Sequence, residues 1–330
     1  MTQHIYVDDT SKLQLHIYVL GYYPMGESIL IIVYDNASHK TYKSILIDSF
    51  EVNGINYMDG ILNQYNINKT KLDIIVWTHP DKDHSLGFSG IIKNYSSKNT
   101  LYLLPDGVSR FILTSCKFEF LKTFIRICSK KNIERVNSSN MRKYPTMYGA
   151  TKFHDGYNDD IEFDIEILTP FASQTFSKLE VNKTHKANDL SISLMVRFGG
   201  QNFYFGGDVE DPAIKMIDKE RMNNILFVKI PHHGSQTSEY LPILLQPFNN
   251  ESISKTLTSV TSDFVLNRIK LPNASVINKY IQISNKVLST SNDSHTNKYG
   301  IWELKYNIRP QCIIEPVAHG DASELIYGKE

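Results

Sequence analysis

Apolar residues recur along the chain in short runs whose spacing changes from segment to segment. Residues 13–20, 28–34 and 44–47 alternate or run apolar, and Gly21, Gly26 and an Asn-Ala-Ser-His turn at 36–39 separate them, which predicts a β meander. Helical spacing follows at 57–65 and 85–95, then a short strand at 101–104 stopped by Pro105, then helix again over 109–132. Residues 137–160 are polar and read as loop plus a short strand. Strand-like segments return at 161–168, 191–198, 202–205 and 225–230, with late ones at 287–289 and 301–306. This order of strands and helices predicts two sheets covered by helices rather than one doubly wound parallel sheet.

At 330 residues the chain is long enough for one large domain or two, and 41% hydrophobic with 21% charged residues is ordinary globular usage. No run of about 18 apolar residues predicts a membrane span. Met1-Thr2-Gln3-His4 opens no secretory signal, so residence in the cytoplasm is the expectation. Cys116, Cys128 and Cys312 form no close pair and are expected to be buried free thiols. The 35 basic residues balance the 35 acidic ones, so polyanion binding has to be local. The most basic stretch, 117–135, reads first as a solvated helix face.

Candidate chemistry sits just after predicted strands. His79-Pro80-Asp81-Lys82-Asp83-His84 places four metal-capable side chains within six residues, immediately after the apolar run 72–76. A strand fixes the origin of such a cluster while the turn folds its side chains inward, which suits capture of a divalent cation. Three later clusters also follow predicted strands: Asn188-Asp189-Leu190-Ser191, Gly206-Gly207-Asp208 and Pro231-His232-His233-Gly234-Ser235. Asp208 has two oxygens able to bridge two cations, and paired imidazoles supply further nitrogen ligands or a proton donor. Asp48 at the end of a strand is either a support for a ligand or a turn cap. Lys82 and Ser235 are candidate substrate contacts, with Lys82 equally able to point to water.

In their order and composition these motifs resemble the metallo-β-lactamase superfamily. Residues 79–84 match its HxHxDH motif with Asp81 in place of the second histidine, Asp208 matches the bridging aspartate, and His232-His233-Gly234-Ser235 matches the final histidine motif. The pattern is similar to the metallo-β-lactamase-like domain of the DNA-uptake competence channel ComEC, with its HxDxDH, N-D-x-S and PHHGS-type motifs and an early turn like Gly26-Glu27-Ser28. The chain departs from that pattern at Val19-Leu20-Gly21-Tyr22-Tyr23 and lacks the channel's membrane segments, so transport is not implied.

The resemblance implies a mixed α/β fold, an αββα four-layer sandwich, over a single domain 1–330, with the motifs in 13–307 and a C-terminal extension at 308–330. It also implies a metal-dependent hydrolase with two divalent ions. His79 and Asp81 would hold one, Asp83 and His84 the other, Asp208 would bridge, and His232 or His233 would complete the second site. Asn188 stands where many members carry a further histidine, as a ligand or as a loop residue bonded to its own backbone. A ligand set rich in oxygen favours Mn2+, with Zn2+ and Mg2+ as alternatives. The expected reaction is hydrolysis of DNA or RNA phosphodiesters by an activated water, with Asp83 orienting the water and the metal-free imidazole of His232/His233 protonating the leaving oxygen. Two other readings are a small-molecule hydrolase acting on a cyclic nucleotide or lactone, and a metal-stabilised binding module without activity.

Overall fold

The computed structural model describes residues 2–108, 125–130, 132–138, 147–172, 186–246, 256–292 and 296–325. The first half of the chain runs β1 (Gln3–Tyr6), β2 (Leu13–Tyr22), β3 (Glu27–Asp35), β4 (Lys40–Ile47), α1 (Met58–Gln64), α2 (Ile67–Thr70), β5 (Ile74–Val76), α3 (Phe88–Tyr95), β6 (Leu101–Pro105) and β7 (Ile133–Val136). There follow β8 (Met147–His154), β9 (Ile161–Ile167), β10 (Leu194–Phe198), β11 (Gln201–Phe205), α4 (Asp211–Ile214), β12 (Ile225–Lys229), α5 (Leu241–Leu245) and β13 (Thr258–Thr261). The chain continues through β14 (Phe264–Leu266), β15 (Ile269–Leu271), α6 (Ala274–Ile283), β16 (Lys286–Ser289), β17 (Tyr299–Asn307), β18 (Cys312–Gly320) and β19 (Ser323–Glu324).

Two sheets result. One has the order β18-β17-β2-β3-β4-β5-β6-β7, and the other β1-β8-β9-β10-β11-β12-β13-β16-β19. Side chains on a strand alternate between its two faces, so each sheet presents two apolar surfaces. Leu15, Ile17 and Val19 of β2, with Ile29, Ile31 and Val33 of β3, pack against Phe163, Ile165, Val196, Phe203 and Phe205 of the facing sheet. The alternate residues Tyr18, Leu20, Leu30 and Ile32 turn outward against Met58, Leu62, Phe88, Ile91 and Ile92 of the helices. On the far side, Tyr204 and Val228 pack under Leu241, Leu244, Val276, Ile277 and Tyr280. The layers are helix, sheet, sheet, helix, which is the expected αββα sandwich. Because central strands are covered on both faces, they read as nearly continuous apolar runs.

Several segments differ from expectation. Residues 137–160 yield an eight-residue strand, β8, which pairs with both β9 and β1. Residues 312–320, within the C-terminal extension expected at 308–330, form β18 on the rim of the first sheet, and β19 joins the second. The pairing of β18 with β17 slips between Glu303 and Lys305, leaving Glu315 and Pro316 without ladder partners. Most of the helix expected at 109–132 lies outside the described residues. Cys128 and Cys312 are exposed rather than buried, since an edge strand and an outer helix carry them, and Cys116 lies outside the described residues. Among the described residues no helix is long and apolar enough to cross a membrane.

The topology gathers one edge. Strands β4, β5 and β6 are mutually parallel, as are β11, β12 and β13, so their carboxyl ends fall together, and that end of a sheet is where ligands collect. The loops leaving β4, β5, β11, β12 and β13 carry Asp48, residues 77–84, Asp208, residues 231–234 and Ser262 respectively.

Candidate metal centre

Backbone contacts lock these loops to one another before any side chain is considered. Ile192 N–H donates to the Thr78 carbonyl at 3.0 Å, and His232 N–H to the Gly207 carbonyl at 2.9 Å. Asp208 N–H donates to Ser191 Oγ at 2.8 Å, which gives the serine of the 188–191 motif a structural task. Gly207 has φ +52°, and a Cβ there would stand 2.6 Å from the Ile192 carbonyl oxygen, so only glycine lets the chain turn into Asp208. His232 and His233 are both left-handed, at φ 47° and 52°, a costly geometry for two successive non-glycine residues.

Asp208 stands between two groups of ligand atoms. Its Oδ1 lies 3.3 Å from His84 Nε2 and 3.7 Å from His233 Nε2, and Asp83 Oδ2 is 3.3 and 3.2 Å from the same two nitrogens. Ligand atoms of Asp83, His84, Asp208 and His233 all lie within 4.8 Å of one another, and all four residues are buried. Its Oδ2 lies 3.7 Å from His79 Nε2 and 3.9 Å from His232 Nε2, and Asp81 Oδ2 is 3.8 Å from His79 Nε2. Atoms sharing an ion at 2.0–2.2 Å are separated by roughly 3–4 Å, so both groups have the right span.

Hydrogen bonds fix which nitrogen each ring turns to this centre. Asp48 Oδ2 is 2.7 Å from His84 Nδ1 and can only accept, so Nδ1 carries a proton. Thr78 Oγ1 spends its single proton on Asp48 at 2.6 Å, so at 3.0 Å it accepts from His79 Nδ1–H. In both rings Nε2 faces the centre, and His79 Nε2, His84 Nε2 and Asp208 Oδ1 are buried with no hydrogen-bond partner. Buried orphans of this kind are costly unless something polar meets them. The donor set therefore fits divalent cations.

Without an ion, protons carry the local positive charge. Burial opposes charging His84, but Asp208, Asp83 and Asp48 outweigh it and hold its pKa well above the ordinary value. His233 is raised in the same way, chiefly by Asp208 against the effect of burial. His79 is lowered by burial and by the nearby charge of His84. Burial would raise Asp208, yet His84, His233 and His232 hold it well below the carboxylate range. The centre is a compact group of paired charges that a cation would complete.

The remaining candidates divide. His233 lies on the side of Asp83 and His84, whereas His232 faces the His79 side and is partly exposed. His232 Nδ1 is 2.9 Å from Thr237 Oγ1 and 3.6 Å from Glu210. The Asn188 amide donates to His232 Nε2 at 3.2 Å and approaches Glu210 at 3.5 Å, so it reaches the centre through the imidazole. Lys82 is exposed, between half-buried Asp81 and buried Asp83. Ser235 accepts from Thr237 N–H and caps a short turn. Sequence reasoning gave no role to three buried residues behind the ligands, Glu27, Lys229 and Ser262. The apolar surroundings of Lys229 and the Tyr-Tyr-Pro-Met-Gly turn before Glu27 carry no periodic signal for such a group.

No known family profile matches the chain, and no curated protein matches it. Among solved structures it is similar to Zn2+-bound PqqB from Methylobacterium extorquens, with 11% identity, 62% of this chain and 59% of that chain covered, and a TM-score of 0.29. The chain spans about three fifths of that neighbour's length.

Proposed function

We propose that this chain is a metal-dependent hydrolase with two divalent ions, cleaving phosphodiester bonds of DNA or RNA. The observation that carries the reading is the division of Asp208, one oxygen toward His84 and His233 and the other toward His79 and His232. His79, Asp81 and Asp208 would hold one cation, and Asp83, His84, His233 and Asp208 the other, with Mn2+ favoured by the oxygen share and Zn2+ or Mg2+ as alternatives. Bound there, the cations would acidify a water and polarise a phosphoryl oxygen. The chain's own residues do the rest. Asp83 and Asp208 place carboxylates where they orient an attacking water, and His232, partly exposed and hydrogen-bonded at both nitrogens, is placed to give a proton to a leaving oxygen. Lys82, exposed beside the ligands, offers a cation to substrate phosphate.

The phosphodiester preference follows the motif resemblance and the hard ligand set. The zero net charge favours a second reading, a small phosphodiester such as a cyclic nucleotide, which needs no extended basic track. Protein loaded with Mn2+ and given labelled single-stranded DNA, duplex DNA, RNA and a small phosphodiester tests both. Cleavage of the polynucleotides, lost in Asp83→Ala and Asp208→Ala, is the expected result. Inert polynucleotide with turnover of the small ester would establish the second reading, and no hydrolysis by the wild type would overturn both.

A further inference from the structure

Behind the ligands lies a buried ion pair with no part in the reaction described so far. Glu27 opens β3 and Lys229 closes β12, one from each sheet, and the residues are 1% and 0% exposed. Lys229 Nζ is 2.7 Å from Glu27 Oε2. The Ser262 hydroxyl donates to the same oxygen at 2.5 Å. Ser262 follows β13, which lies parallel to β12, so it comes beside the turn that carries His233. His233 Nδ1 is 2.9 Å from Ser262 Oγ and 3.3 Å from the Ser262 carbonyl oxygen.

We propose that Glu27, with Lys229 as counter-ion and Ser262 as intermediary, is a positioning group for His233, holding a proton on Nδ1 and turning Nε2 toward Asp83 and Asp208. The inference rests on the metal-centre reading above, and two facts about donors carry it. A carboxylate paired with lysine only accepts, so the single Ser262 proton points to Glu27 and Oγ has only lone pairs left for the ring. A backbone carbonyl likewise only accepts. Both neighbours of Nδ1 therefore require an N–H there, and Nε2, which gives its proton to a hydrogen bond with Asp83 Oδ2 at 3.2 Å when no ion is bound, is the nitrogen left for a cation.

The arrangement repeats one on the other side of the centre. Asp48, Thr78 and His79 form a carboxylate–hydroxyl–imidazole chain, and Glu27, Ser262 and His233 form a second. Fold stability gives little reason for the second, because a buried ion pair is commonly no better than well-packed apolar residues of the same volume. An apolar pair would leave the Ser262 proton free to turn to the ring, and the tautomer would no longer be set. Lys229 keeps Glu27 ionised inside the core, where an unpaired carboxylate would take up a proton and become a donor itself. Because Glu27 belongs to one sheet and Lys229 and Ser262 to the other, the relay also registers the ligand loops of the two sheets against each other.

Ser262→Ala, Ser262→Thr, Glu27→Gln and Lys229→Met test the proposal by calorimetric titration with Mn2+ and Zn2+, thermal melting of the ion-free protein, and 15N–1H spectra of the histidine rings. Expected are binding weaker by about 10-fold or more in Ser262→Ala, recovery in Ser262→Thr, and a neutral wild-type His233 ring protonated on Nδ1. Wild-type ion affinity in Ser262→Ala, or a neutral His233 protonated on Nε2, would overturn it. Should Glu27→Gln or Lys229→Met fail to fold, the two serine variants still decide. If the wild type binds no divalent ion, the metal-centre reading fails by itself, while the ring spectra of the ion-free protein, taken at a pH high enough to leave His233 neutral, still judge the relay.

Discussion

Asp48 accepts a 2.7 Å hydrogen bond from His84 Nδ1, and the same carboxylate takes the Thr78 N–H at 2.8 Å and the Thr78 hydroxyl at 2.6 Å. One side chain thus orients two imidazoles, His84 directly and His79 through Thr78. Asp48→Ala is expected to weaken divalent-ion binding by about 10–100-fold. It should also destabilise the ion-free protein by about 1–3 kcal/mol or more, because three buried donors lose their acceptor. Calorimetric titration and urea denaturation read the two effects separately. Unaltered ion binding would remove Asp48 from this role.

The turn before Asp208 has no room for a side chain. Gly207→Ala places a methyl 2.6 Å from the Ile192 carbonyl oxygen and 2.7 Å from Ser191 Oγ, on a backbone at φ +52°. Left-handed strain and overpacking together are expected to cost about 2–4 kcal/mol, measured by urea denaturation, with weaker ion binding as Asp208 shifts. A loss below about 0.5 kcal/mol, the range of neutral surface changes, would show that the turn yields easily.

His16 gives the fold a pH dependence separate from the metal centre. Burial first, and Lys305 second, lower its pKa from 6.5 to about 4, with Glu303 partly opposing. Above pH 6.5 both folded and unfolded chains hold it neutral. Between 6.5 and about 4 the unfolded chain takes up a proton that the folded one refuses, so stability falls as the pH drops through this window, by about 3 kcal/mol at most from this residue. His16→Gln should flatten that part of the profile relative to wild type in denaturation series at pH 7, 6, 5 and 4. Parallel profiles would refute it.

Removing divalent ions should lower the melting temperature, since ligand loops from both sheets meet at Asp208. At an ion concentration 100 times Kd, binding adds about 2.7 kcal/mol, corresponding to about 5 °C for a domain of this size. Melting with and without a chelator measures the difference, and Asp208→Asn should abolish it. A shift that survives in Asp208→Asn would place the ion elsewhere.

The parts of the centre legible in the sequence were those concentrated in short loops after apolar runs. Residues 79–84 announce themselves because four metal-capable side chains share one turn, and Asp208 and the His232/His233 pair because glycines and paired histidines follow strands. The assignment between His232 and His233 was not legible, since two successive left-handed residues decide which ring turns inward. Glu27, Lys229 and Ser262 were hidden for another reason: their association is a contact between sheets, and no local spacing records it. Two sheets covered by helices were readable from the apolar runs, and the αββα layering from the motif resemblance. Strands such as β13 were missed because Thr258-Ser259-Val260-Thr261 is polar in composition yet fully buried.

Among the described residues β18 forms the outer rim of its sheet, with Ile314 38% and Val317 47% exposed. A bare rim with apolar side chains invites another chain to add a strand. Here the slip at Glu315 and Pro316 breaks the row of donors, because proline has no N–H and the bulge turns the neighbouring groups out of line. The bulge and the proline together guard this rim against strand addition, and Pro316→Val, which restores an N–H there, removes one of the two.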